Sequence, residues 1–249
     1  MNVAKGGEFQ RIWSVVRLHV VNRMALFGVP LMILGFIFAV NFVIWWTLKS
    51  SLSTSDFADA SEGMQYSGAS TFIFVYMMVV AVQAINLTFP FAQGYSVTRR
   101  DFYLGSVLTF VMLSAAWALL ISVLGEIEQA TGGWYVGGSM FNAIYFGDGG
   151  FLQRLYITFL LFSFFFFVGA ATAAVYVKWR TNGMLVFFGA LVLVLLAAVL
   201  WITFGAHWMA VGAWFVEMGV VGVVTWTLVP TIISGIVGFF ILRRATPRN

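Results

Sequence analysis

Thr88–Gly105 reads TFPFAQGYSVTRRDFYLG, a short polar break carrying two arginines between mostly apolar runs of more than fifteen residues on either side. Apolar runs of about 20 residues are what an α-helix needs to cross a bilayer core of ~30 Å. These runs are too long and too unalternating for barrel strands, which read as ~10-residue dyad patterns. The break is therefore expected to turn the chain between two membrane helices.

Working outward from it, six apolar spans are expected, near 24–48, 71–92, 102–124, 155–177, 184–205 and 219–242. Pro30 falls in the first turns of the first span and Pro90 near the end of the second, where a missing amide hydrogen costs least. The composition agrees: 61% of the residues are hydrophobic, 9% are charged, and the mean hydropathy is +0.96. Soluble domains carry roughly 25% charged residues. The expected class is an all-α polytopic membrane protein with a single transmembrane domain over 1–249.

Residues 1–23 are polar and basic, with Phe9, Ile12, Trp13, Val16 and Val20 at helical spacing and Gln10, Ser14 and Arg17 on another face. That pattern predicts an amphipathic helix lying in the membrane interface. A cleaved signal peptide is not expected, because the apolar run that follows is too long and lacks a small-residue cleavage site.

Charge sets the expected orientation. With the N-terminus cytosolic, that side holds Lys5, Arg11, Arg17, Arg23, Arg99, Arg100, Lys178, Arg180, Arg243, Arg244 and Arg248. These are eleven of the thirteen basic residues, leaving Lys49 and Arg154 outside. Of the acids only Glu8 and Asp101 lie inside. The positive-inside rule then places both termini in the cytosol. Trp45, Trp46, Trp134, Trp208 and Trp214 fall near outer span ends, as an aromatic belt would. Outside, Asp56, Asp59 and Glu62 are spaced along one face of a short helix, and 125–153 is glycine-rich. The segment 206–218 is too apolar for a loop and too short to span, which suits a re-entrant or interfacial hairpin.

Several chemistries are excluded. No cysteine is present, so disulfides, thiol catalysis and thiolate metal sites are ruled out. There is no GxxxxGK[ST] phosphate loop to bind ATP. His19 and His207 lie on opposite sides of the expected bilayer and cannot ligate one haem. No span centre holds Asp, Glu, Lys or Arg, the groups that ion-coupled transporters place near the midplane. A membrane enzyme would need convergent acids, histidines or nucleophiles, and the sequence offers no such set.

The polar groups inside spans are few and neutral. Asn41 lies in the first span, and Gln83 and Asn86 share a face of the second with Pro90. They serve either as interhelical hydrogen-bonding groups or as the border of a substrate path. The Asn86-Leu87-Thr88 glycosylation match sits within a span and carries no meaning. In the fourth span Phe162 and Phe164–Phe167 precede Gly169, Ala170, Ala173 and Ala174, whose small side chains let another helix approach closely. His207 and Glu217 bracket the outer hairpin as an ordinary hydrated pair or an outer gate.

In the opening stretch, Thr98-Arg99-Arg100-Asp101 fits a capping box, with Gly94 ending the previous helix and Phe102 and Tyr103 beginning the next apolar run. The break is either a tight arginine-anchored turn or a helical tip offered to a partner.

GYSVTRRDFYLG between the second and third of six spans resembles the cytosolic loop of ABC transporter permeases of the exporter-like type-2 class. The segment Glu8–Arg23 is similar to their connecting helix, and the hairpin before the sixth span to their outer gate, though far shorter than in larger members. The resemblance implies a permease subunit in a prokaryotic plasma membrane, with both ATP and Mg bound by a separate ATPase chain. Two permease subunits, alike or different, would form the path. Tyr95, Ser96, Val97, Thr98, Arg99, Arg100, Asp101 and Phe102 would dock the ATPase, while Asn41, Gln83 and Asn86 would border the path. The uncharged, aromatic interior favours an amphipathic or apolar cargo such as a drug, lipid or peptide. The alternative is a channel or scaffold working without ATP, which gives no reason for the capped basic turn.

Overall fold

The computed structural model describes residues 7–94, 97–147 and 149–245. These residues form helices joined by short turns, with no strand among them. In order the helices are α1 (Glu8–Val20), α2 (Val29–Ser51), α3 (Thr54–Met64), α4 (Phe72–Gly94), α5 (Arg99–Ala130), α6 (Phe151–Phe204), α7 (Trp208–Trp226) and α8 (Leu228–Arg243).

Proline and glycine set most of the joints. A π-helical turn, Met24–Gly28, leads into α2, with the Val29 amide bonded to the Met24 carbonyl. Pro30 has no amide to return to the Leu26 carbonyl, which is where the regular ladder would have continued. Pro230 likewise leaves the Trp226 carbonyl without an α-helical donor, and the chain turns between α7 and α8 at Thr227. Within α7, Gly219 takes φ 58° and ends the helical run of 208–218. The apolar segment expected as a hairpin is thus a helix entered from Gly205–His207 and stopped at Gly219. The short helix expected from the spacing of Asp56, Asp59 and Glu62 is α3, opened by Ser53, whose hydroxyl accepts the Asp56 amide.

Among the described residues, five helical stretches are long and apolar enough to cross a membrane: 24–51, 72–94, 99–130, 151–204 and 208–243. The longest, α6, has 54 residues. At ~1.5 Å per residue it would run ~80 Å if straight, more than twice a bilayer core. It is not continuous: Arg180 has φ 57° and ψ −147°, dividing it into 151–179 and 181–204. No proline or glycine at position 180 announces that break.

The core lies among α4, α5 and the first part of α6. Phe162 and Phe166, one turn apart on α6, are fully buried. Phe74 of α4 meets Phe162 at 4.7 Å between ring centroids, and Phe110 of α5 stacks on Phe166 at 5.3 Å. Phe164, Phe165 and Phe167 are only partly covered, so the run of phenylalanines divides between core and surface. The small residues after it do bring helices close. A Cβ on Gly169 would stand 2.6 Å from the Met78 carbonyl oxygen of α4. By contrast 185–205, beyond the Arg180 break, presents almost all its side chains outward.

Candidate functional site: the polar tip before α5

The tip begins where α4 runs out at Gly94; Tyr95 and Ser96 lie outside the described residues. The Val97 amide reaches back to the Ala92 carbonyl at 3.2 Å, and Thr98 takes extended backbone angles suited to an N-cap. Its hydroxyl accepts the Asp101 amide at 3.1 Å, satisfying one of the donors that a helix start leaves open.

The next residues separate by direction. Asp101 is only 3% exposed, and its carboxylate accepts from Arg11 Nε of α1 at 2.8 Å. Phe102 is fully buried against Phe89 and the His19 ring. Arg100 is exposed and pairs with Glu8 of α1 at 2.9 Å, with both side chains more than half accessible. Arg99, partly exposed, donates from Nη1 to the Arg243 carbonyl at 3.0 Å. That carbonyl is in the last turn of α8, where a helix carries partial negative charge and welcomes a cation.

α1 is seated across α5. Val15 and Val16 are buried. A Cβ on Gly105 would meet Val15 Cβ at 2.5 Å and the Ile12 carbonyl oxygen at 2.9 Å, so the crossing tolerates nothing larger than hydrogen there. Phe9, on the face expected to be apolar, is 72% exposed and stacks on Trp13. His19 is buried, with Nε2 2.8 Å from Ser106 Oγ and Nδ1 3.5 Å from Thr88 Oγ1. The Ser106 hydroxyl also lies within hydrogen-bonding reach of the Phe102 carbonyl, at 2.9 Å. Burial pushes the imidazole down to about 4, so it is neutral at pH 7.

Asn41, Gln83 and Asn86 have separate surroundings. Asn41 turns its amide onto the Ile37 carbonyl of its own helix at 2.8 Å. Gln83 is exposed. Asn86 Oδ1 is buried without a hydrogen-bond partner, and Pro90, four residues on, has no amide for the Asn86 carbonyl.

A second polar centre, at the far end of α5, has no motif in the sequence. Glu128 is 2% exposed, and its carboxylate accepts the amides of Met140, Phe141 and Asn142 and the Trp134 indole N–H, all at 2.8–3.2 Å. Arg154, also buried, binds Glu126 at 2.8 Å and the Asn142 side-chain oxygen. Lys49 Nζ bonds the Tyr135 carbonyl at the same end. A polar hollow of ≈ 290 Å³ opens between Glu128, Asn142 and Arg154. The excess of glycine in 125–153 was the one available signal. Gly138, for example, lies so close to the Trp45 ring that an added Cβ would stand 2.1 Å from it.

Among the described residues no group of three or more His, Cys, Asp or Glu side chains gathers to hold a metal ion. Comparison with protein-family models, curated proteins and solved structures finds no match to this chain.

Proposed function

We propose that the chain is the membrane subunit of an ATP-driven exporter of the ABC permease kind, coupled through residues 93–103 to a separate ATPase subunit that binds ATP and Mg. Reading α6 as two spans divided at Arg180, and 219–242 as the last, gives six crossings with both termini cytosolic. The charge distribution supports that orientation. A second permease subunit would complete the path, in a prokaryotic plasma membrane, for an amphipathic or apolar cargo.

The observation that carries the reading is the way the tip sorts its side chains. Asp101 and Phe102 face inward and brace the start of α5 against α1, while Arg100 faces out and Arg99 lies at the edge. A capped helix start braced from behind, with cations in front, suits a docking element. It also guides the choice of variant. Asp101 and Phe102 belong to the packing, so replacing them would confuse folding with docking. Arg100→Glu disturbs only an exposed pair, worth ~0–1 kcal/mol.

The test is copurification from gentle detergent and from lipid nanodiscs, followed by charge reversal. The wild-type chain is expected to bring down an ATPase of about 25–35 kDa, the size of one domain. Arg99→Glu with Arg100→Glu should weaken that association by roughly tenfold or more, with the spans still folded. Undiminished ATPase binding and stimulation in the double variant would defeat the docking assignment. Absence of any ATPase in both preparations would favour the channel or scaffold reading.

A further inference from the structure

At the end of the bundle that carries α1, an apolar groove of ≈ 660 Å³ runs between the Arg180 break and α8, walled by Val175, Trp179, Val186 and Ile241 among others. Its volume lies within the ~300–1,000 Å³ range of small-molecule sites. Asn182 is the one carboxamide in its wall. Cations stand around it. Lys178 Nζ sits 4.1 Å from the ring of Trp179, itself a wall residue, and Arg180 lies over Tyr176 at 5.9 Å. Arg243 and Arg244 follow Ile241 by two and three residues. Neither 178–187 nor 237–245 contains an acid.

We propose that this groove is a binding site for an anionic phospholipid, one acyl chain lying along Val175, Val186 and Ile241 and the phosphate held by Lys178, Arg180 and Arg244. The chemistry is two-part. The long apolar trough accepts a chain, and the excess of positive charge at its mouth selects a negative headgroup over a zwitterionic one. Juxtamembrane cations attract anionic lipid by about a factor of five each. A soluble anion would have no use for the trough, and a neutral lipid none for the cations. The site does not depend on coupling to an ATPase.

Native mass spectrometry of the purified full chain tests it, with dioleoyl phosphatidylglycerol, dioleoyl phosphatidylcholine and inorganic phosphate as the three probes. Phosphatidylglycerol should be retained in preference to phosphatidylcholine of the same chains, and inorganic phosphate should neither bind nor displace it. Val186→Trp narrows the trough at a side chain that is 73% exposed, so folding is spared and phosphatidylglycerol retention should fall. Lys178→Gln with Arg244→Gln should weaken phosphatidylglycerol roughly thirtyfold and leave phosphatidylcholine unchanged. Equal retention of the two lipids by the wild-type chain would overturn the proposal, as would full retention in Val186→Trp. Displacement of the lipid by inorganic phosphate would reduce the site to its basic rim and equally overturn it.

Discussion

Asp101 and Glu128 stand near opposite ends of α5, both almost wholly buried, yet their charges are met in different ways. Asp101 is answered by a guanidinium ninety residues away in sequence, on a separate helix. Glu128 is answered by three backbone amides and an indole, all within fourteen residues of it. The first arrangement joins two elements and holds only while they remain docked. The second makes one loop fold around one carboxylate, whatever its neighbours do. Two buried acids on one helix thus make a clasp at one end and a lock at the other.

The lock should be the harder to lose. Glu128→Ala would orphan several N–H donors at once, and unsatisfied buried donors cost ~1–3 kcal/mol each. With some relaxation of the loop, a destabilisation on the order of 4 kcal/mol is expected. Thermal unfolding in micelles, followed by hydrogen exchange across 125–154, measures it. A loss below about 1 kcal/mol would mean that the loop holds itself by its turns alone.

The clasp comes next. Arg11→Ala leaves the Asp101 carboxylate buried without its guanidinium, at a cost of about 3 kcal/mol. Hydrogen exchange should then speed up along α1 and in the first turns of α5, while 125–154 keeps its protection. If both regions lose protection together, the two ends are one cooperative unit and the contrast between them fails.

Acid should separate the ends without any mutation. His19 titrates near 4 in the folded protein, against an ordinary value of 6.5. Between those values the released helix binds more protons than the docked one, so α1 docking is fully stable above about pH 6.5 and weakens as pH falls. The loss amounts to about 2 kcal/mol at pH 5. The segment 125–154 contains no histidine and should not share this response. A pH series of α1 exchange rates tests the prediction, and His19→Gln should flatten it between pH 7 and 5. An unchanged slope in that variant would move the pH sensitivity elsewhere.

Sequence patterns made part of this arrangement visible. The apolar runs, the small α3 helix and the Thr98 cap are local features, written in spacing and residue type over a few positions. The face of α1 was less legible, because Val15 and His19 are buried by α5 while Phe9, equally at home in a lipid interface, is not. The pairing of Asp101 with Arg11 could not be read at all, since nothing in a linear pattern says that α1 crosses α5 at Gly105. Glu128 escaped for a different reason. Its partners are mostly backbone amides, which every residue but proline supplies, so no residue type marks them. The Arg180 break is silent too, because arginine carries none of the freedom that makes glycine a signal for positive φ.

The contact of Gly105 with Val15 and the Ile12 carbonyl has a consequence for how such a sequence can drift. A methyl group gained at position 105 would meet the Cβ of residue 15, which every residue but glycine carries, and the Ile12 carbonyl, which no exchange of side chains can move without lifting the α1 backbone. Position 105 therefore has no single compensating partner. Neutral change can wander freely over the outward-facing residues 185–205, but at this crossing glycine is held in place by backbone.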